Sequence, residues 1–148
     1  MKIEELLNQI EPDSEMAIAN EPFTYTGKAV ITLDGGDKRY WIFNSDHSML
    51  TVAPSGEELF HFLFSDEEIE PQSGVVLYQG DEFEFSYEDS GVISEIIGES
   101  DFEEEDQFSF ADYESAEGAL VRIVTNENTG ERQVFTGTMV VEEDILKV

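Results

Sequence analysis

The sequence predicts a mostly β protein, an antiparallel curled sheet, barrel or sandwich with one short N-terminal helix, the coarser variant being α+β. Three observations predict it. Aromatic and β-branched residues alternate with polar ones at a period of two over most of the chain. Glycine-bearing turns interrupt that pattern at intervals of about ten residues. No helical segment separates consecutive strands, so a parallel βαβ arrangement has no crossovers to build on.

The elements follow in order. Ile3, Leu6, Leu7 and Ile10 stand at i, i+3, i+4 and i+7, the apolar stripe of a short amphipathic helix over residues 2–10. Pro12 and Asp13 stop it, and residues 11–22 read as a connector. Residues 1–22 are thus a helix and linker ahead of a single antiparallel β domain spanning 23–148. Thr24 to Leu33 is a β-branched run closed by Asp34-Gly35-Gly36-Asp37, whose glycines can take the positive φ of a hairpin turn. Arg39–Asn44 and Met49–Ala53 return as strands, and Leu59–Phe64 reads as a strand with one turn of helix as the alternative. Val75–Tyr78, residues 83–87, Gly91–Ile97, residues 108–113, Ala119–Val124 and Arg132–Thr136 complete eight or nine strands, the last two flanking the turn Glu127-Asn128-Thr129-Gly130. Residues 99–106 lack periodicity and read as a mobile loop. Residues 140–146 close the chain as a strand or short helix. The expected core is Phe60, Phe62, Phe64, Phe83, Phe85, Phe108 and Phe110. Tyr25-Thr26-Gly27, Tyr78-Gln79-Gly80 and Phe135-Thr136-Gly137 echo one another; hairpin punctuation is the ordinary account, an internal repeat the other.

Charge bounds the function. Between Arg39 and Arg122 lie 82 residues without Lys or Arg, carrying 22 of the 35 Asp and Glu, and the formal net charge is −28. Such a chain repels nucleic acid and anionic membrane and attracts basic proteins, polyamines or hard cations. Eleven Phe, five Tyr and one Trp separate it from disordered acidic chains, which are poor in aromatics. The absence of cysteine excludes disulfides, thiolate metal sites and Cys nucleophiles. The acid-interrupted start is no signal peptide, and no apolar run reaches the roughly 20 residues of a membrane helix. A cytoplasmic protein is expected, with salt adaptation as a second source of its acidity.

No catalytic motif is present. Asp46, His47 and Ser48 are neighbours in sequence, which is not how a triad is assembled. Phosphate-cradling, zinc-protease and nucleophile-elbow patterns are missing. The expectation is a non-enzyme, with no cofactor and no metal required. Asp101, Glu103, Glu104, Glu105 and Asp106 offer carboxylate oxygen for Ca²⁺ or Mg²⁺ but lack the EF-hand order, so a solvated acidic loop is the ordinary account. Arg39 beside Trp41 suggests the rim of a partner or ligand site, against a core strand as the plainer reading. His61, between Phe60 and Phe62, reads as an outward strand residue with pH sensitivity open. The alternation around Glu82, Glu84 and Glu88 gives an acidic outer face.

The expected function is therefore an acidic accessory protein that docks a basic protein partner. Its candidate contact residues are Trp41, Glu82, Glu84, Glu88, Asp101, Glu103, Glu104 and Glu105. The alternative is a DNA-mimic inhibitor of a nucleic-acid-binding protein. Duplex DNA carries one charge per roughly 1.7 Å of axis, about one per 110 Å² of its surface, so mimicry requires the acids to be segregated onto one face. Three stretches, residues 39–43 (Arg-Tyr-Trp-Ile-Phe), residues 78–85 (Tyr-Gln-Gly-Asp-Glu-Phe-Glu-Phe) and Gly118 to Gly137, together resemble an uncharacterised bacterial domain-of-unknown-function family of small acidic β-rich proteins, some encoded near phage-shock-protein-A-like genes. That resemblance covers roughly residues 23–146 and implies a bacterial cytosolic accessory protein, with no catalytic residues to carry over.

Overall fold

A computed structural model describes residues 1–100 and 102–148. One helix, α1 (Ile3–Asn8), precedes eleven strands: β1 (Glu15–Ile18), β2 (Glu21–Leu33), β3 (Lys38–Asn44), β4 (Met49–Ala53), β5 (Glu58–Ser65), β6 (Val75–Tyr78), β7 (Asp81–Gly98), β8 (Gln107–Glu114), β9 (Leu120–Asn126), β10 (Arg132–Val140) and β11 (Ile145–Lys147). They pair in the order β11-β1-β2-β3-β4-β5-β10-β9-β8-β7-β6, and a further β2–β7 pairing closes the eight strands from β2 round to β7 into an antiparallel barrel. Closure removes the exposed edges that an open sheet of this size would present. The strands outside the ring, β6 at one end and β11 with β1 at the other, are only three or four residues long.

Alternation along each strand divides the apolar residues into an inner and an outer set. Ala29, Ile31, Leu33, Trp41, Phe43, Met49, Phe62, Phe108, Phe110 and Phe135 fill the barrel together with Phe102 from the loop after β7. The outer face of β3–β5 is covered by a first flap, made of α1, β1, β11 and the start of β2, over Ile42, Leu50, Val52 and Leu59. A second flap, made of Ile69, β6 and the start of β7, covers Val121, Ile123 and Val134. Each flap starts from a hairpin whose two turn residues both have positive φ, Ala19-Asn20 and Gln79-Gly80, the signature of a turn that follows the twist of its strands.

This parallel runs through the whole fold. Strands β1–β5 and β6–β10 have the same order and the same register. Phe23 faces Met16 as Phe83 faces Val76, and the irregularity between Tyr25 and Gly27 recurs sixty residues on between Phe85 and Tyr87. Trp41 faces Thr51 as Phe110 faces Val124, and Met49 faces Phe62 as Arg122 faces Phe135. The two seams obey the same two-fold relation: Leu33–Gly91 answers Ile31–Ile93, and Phe64–Phe135 answers Phe62–Gly137. Each seam has a glycine where the strands come too close for a side chain. A Cβ at Gly91 would lie 2.4 Å from the carbonyl oxygen of Thr32, and one at Gly137 2.1 Å from that of His61. The two-fold axis crosses the barrel, so it exchanges the barrel's two ends. The aromatic-glycine echo in the sequence does not track this repeat, because Tyr25 matches Phe85 and not Tyr78.

Several local expectations change. The supposed connector contains β1, which reaches β2 through the Ala19-Asn20 hairpin despite Pro12 and Pro22. Residues 83–87 and 91–97 belong to one 18-residue strand, with Gly91 at the seam rather than in a break. Phe60, Phe62, Phe83, Phe108 and Phe110 pack into the cores, but Phe64 and Phe85 are 44% and 47% exposed. Phe64 lies at the lower rim of the barrel against Phe135, and Phe85 lies past the edge of the second flap against Tyr113. The described part of the loop over 99–106 is anchored. Ile93 and residues 105–106 exchange backbone hydrogen bonds of 2.8 and 2.9 Å, and Phe102 is buried.

Candidate barrel-mouth site

Take as upper the end where β2 turns into β3. Asp112 on β8 and Arg122 on β9 are direct register partners near that end, and both side chains point inward. Arg122 donates from Nε to one Asp112 oxygen at 2.7 Å and from Nη2 to the other at 2.9 Å. The guanidinium lies between the rings of Phe62 and Phe110, 4.7 Å from each centroid. The two side chains are only 6% and 8% exposed. This is a forked, charge-assisted pair with two cation–π contacts, the geometry that suits Arg and not Lys. Nη1 has no acceptor among the described residues.

Above the pair lies a cavity of about 360 Å³ bordered by Arg122, Asp112, Trp41, Thr51, Phe60 and Leu120, with Arg39, Tyr87, Glu58, Glu114 and Met139 around its opening. Its size falls in the range of small-molecule sites, and a barrel mouth is a common place for one. Burial raises the Tyr87 pKa, helped by the hydrogen bond its hydroxyl donates to Asp89, while nearby Arg39 acts the other way. Thr51 is buried in the wall, and its hydroxyl makes no hydrogen bond within the described residues.

The open end follows from loop length. At the upper end β2 and β3 are joined by Asp34–Asp37, which stays outside the barrel. The two-fold equivalent at the lower end is the longer connection from β7 to β8. It folds inward and sets Phe102 4.8 Å from the ring of Phe108 and 5.5 Å from those of Trp41 and Phe43.

The residues singled out from sequence separate into three groups. Trp41 is not an outer contact residue: it is fully buried at the centre of the barrel, because its strand face points inward. It nevertheless forms a wall of the cavity, and Arg39 stands on the rim. Glu82, Glu84 and Glu88 are exposed along the first half of β7. Glu103, Glu104 and Glu105 are exposed on the opposite, lower end, where Glu104 accepts a hydrogen bond from the backbone of Ile96 at 3.2 Å. Asp101 lies outside the described residues. Among the described residues no group of three or more His, Asp or Glu is placed to hold a metal ion, and no helix is long and apolar enough to cross a membrane.

Asp46, His47 and Ser48 form the turn between β3 and β4. Asp46 accepts from the Ser48 amide at 2.9 Å and its hydroxyl at 2.5 Å, bonds that hold the Asp46 carboxyl below its ordinary pKa against the opposing effect of burial. His61 lies not in solvent but under the first flap, against Phe23. Its Nε2 is buried without a hydrogen-bond partner among the described residues, and burial lowers its pKa against the pull of Asp46 and Glu21.

Sequence reasoning missed the Asp112–Arg122 pair. A signal was present: Arg39 and Arg122 bound the base-free stretch, and both border the same cavity. Compared with models of known protein families, with curated proteins and with solved structures, the chain matches none of them.

Proposed function

We propose that the chain is a non-enzymatic accessory protein of the bacterial cytosol that docks a basic protein partner. The observation that carries this reading is the run 84–88 on β7. Five successive residues face solvent there, with Phe85 and Tyr87, 47% and 38% exposed, set among Glu84 and Glu88 and beside Glu82. In a strand inside a closed sheet, one side is normally covered. Here the run lies between the edge of the second flap and the barrel mouth, and neither side is. Carboxylates around exposed aromatics fit a partner surface of Lys and Arg: the charges speed and select the encounter, and the aromatic rings supply the desolvated contacts. The cavity lining holds neither histidine nor cysteine, so it offers no imidazole or thiolate chemistry.

DNA mimicry is supported less. A net 28 negative charges over 8199 Å² average one per about 290 Å², against about one per 110 Å² for duplex DNA. Exposed acids occupy both flaps and both barrel ends, for example Glu4, Glu57, Glu67, Glu82, Glu103 and Glu143, rather than one face.

The test immobilises the chain, the Phe85→Ser variant and the Glu82→Gln/Glu84→Gln/Glu88→Gln variant in lysate of the native host. A basic protein retained at 0.05 M NaCl, released at 0.5 M, and retained several-fold less by both variants is the expected result. Nucleic-acid-binding proteins held equally by Phe85→Ser would favour mimicry, and equal retention by all three would defeat the docking face. The same charge makes stability rise with salt. Shortening the screening length from about 30 Å at 0.01 M to about 8 Å at 0.15 M damps the repulsion more in the compact state. Melting temperature should therefore climb from low salt to 0.5 M NaCl.

A further inference from the structure

We infer that the barrel mouth is a binding site for a small uncharged ring compound carrying a carbonyl or amide oxygen, held by Arg122. The two-fold repeat supplies the argument. At the positions of Asp112 and Arg122 the other half of the barrel has Phe43 and Met49, in the same register and facing the same interior. The fold therefore packs these positions with apolar residues and has no need of an ion pair. A buried pair costs desolvation that apolar residues of similar size avoid, so its presence at one end only calls for a task at that end. The task is visible in the hydrogen bonds. Asp112 occupies Nε and Nη2 and holds the guanidinium against the rings of Phe62 and Phe110, while Nη1 has no acceptor among the described residues and Arg122 borders the cavity. A side-chain donor beside a cavity with no partner among the described residues is free to take a ligand acceptor.

The remaining walls define the ligand's body and charge. Trp41, Phe60, Phe110 and Leu120 present aromatic and aliphatic surface suited to a ring, and the Thr51 hydroxyl adds one adjustable polar group. A carboxylate would bring a second anion to an Arg already neutralised, past Glu58 and Glu114, in a protein of net charge −28. A cation would meet the donors of Arg122 and Arg39. An uncharged acceptor fits both constraints.

Trp41 is the chain's one tryptophan and forms part of the wall, so its fluorescence reports occupancy directly. The test titrates the full chain with benzamide, benzoate, benzylamine and toluene, reading Trp41 emission and the Arg122 Nε–H resonance. Benzamide should change both, half-saturating at about 1–10 mM as suits a fragment of about nine heavy atoms. The other three should bind at least fivefold more weakly. The Asp112→Phe/Arg122→Met variant, which copies the other half, should weaken benzamide at least tenfold and abolish its advantage over toluene. Thr51→Val, which keeps the wall's shape, should weaken it about threefold and serves if the double variant does not fold. No response of either signal to benzamide, or equal affinity for benzamide and toluene in the unaltered chain, would overturn the proposal.

Discussion

The two ends of the barrel are built from equivalent positions and finished in opposite ways. The lower end brings together Phe43, Met49 and Phe108 and is stoppered by Phe102 from a long connection. At the upper end the same three positions hold Asp112, Arg122 and Arg39, the equivalent connection is a short turn, and a cavity remains. Core register is shared, so the difference lies in side chains, in one connection, and in the β8–β9 hairpin, which runs two pairs past Asp112–Arg122 to Glu114–Leu120 where β3–β4 stops at Phe43–Met49. The lower end shows what the fold requires for stability. The departure of the upper end from it marks what stability does not explain.

The largest effect should come from splitting the ion pair. Asp112→Ala strands the Arg122 guanidinium between two rings, and Arg122→Ala strands the carboxylate; each should cost about 3–5 kcal/mol. Asp112→Phe/Arg122→Met makes the upper end resemble the lower and should be neutral to stabilising by about 1–4 kcal/mol. Urea denaturation of the four proteins checks this. A double variant as unstable as the singles would mean that the upper end needs its charges to fold, and the comparison would fail.

The next effect concerns the stopper. Phe102 is buried and touches Trp41, Phe43 and Phe108, so Phe102→Ala should cost about 3 kcal/mol through lost burial and the cavity left behind. It should also open the lower end to small apolar probes, reported by Trp41 emission. Met139→Ala, on the exposed rim of the upper mouth, should change stability by less than about 0.5 kcal/mol.

What the sequence made legible follows the same division between local and distant causes. Alternation and turn chemistry are local, so the antiparallel class and most strands could be read directly. They also assign residues to a face, and they put Phe83 and Phe85 on the same one. Whether a face is covered depends on where a flap ends. The second flap covers Phe83 and stops before Phe85. Barrel closure rests on the β2–β7 and β5–β10 registers, set by residues tens of positions apart, and Gly91 looks like a strand break until its partner Leu33 is known. The cavity is half legible: Arg39 beside Trp41 admits a rim, with a core strand as the plainer reading, but Asp112 and Arg122 each look like ordinary surface charges in a strand. Their inward direction is visible only once their neighbours Phe110 and Val124 are known to face the barrel interior.

The smallest effect tests whether the flaps differ as the ends do. His61 lies under the first flap at the position that Val134 occupies under the second. Buried Nε2, without a partner among the described residues, favours the neutral ring, so burial holds the His61 pKa below its usual 6.5 against the attraction of Asp46 and Glu21. The sign follows from proton linkage. Above pH 6.5 both folded and unfolded chains carry neutral His61 and nothing is lost. As pH falls below 6.5 the unfolded chain takes up the proton first, so stability declines until the folded-state pKa is passed and then levels off. Asp46, whose pKa is lowered, keeps its contribution above its ordinary value of 3.8 and loses it at more acid pH, a separate window. His61→Val should therefore remove the decline between pH 7 and 5 while leaving the loss below pH 4. Amide exchange should place the wild-type decline in β1 and the start of β2, with β6 and the start of β7 unchanged. Equal loosening of both flaps, or a decline that survives His61→Val, would assign the acid response to the carboxylates and not to the histidine.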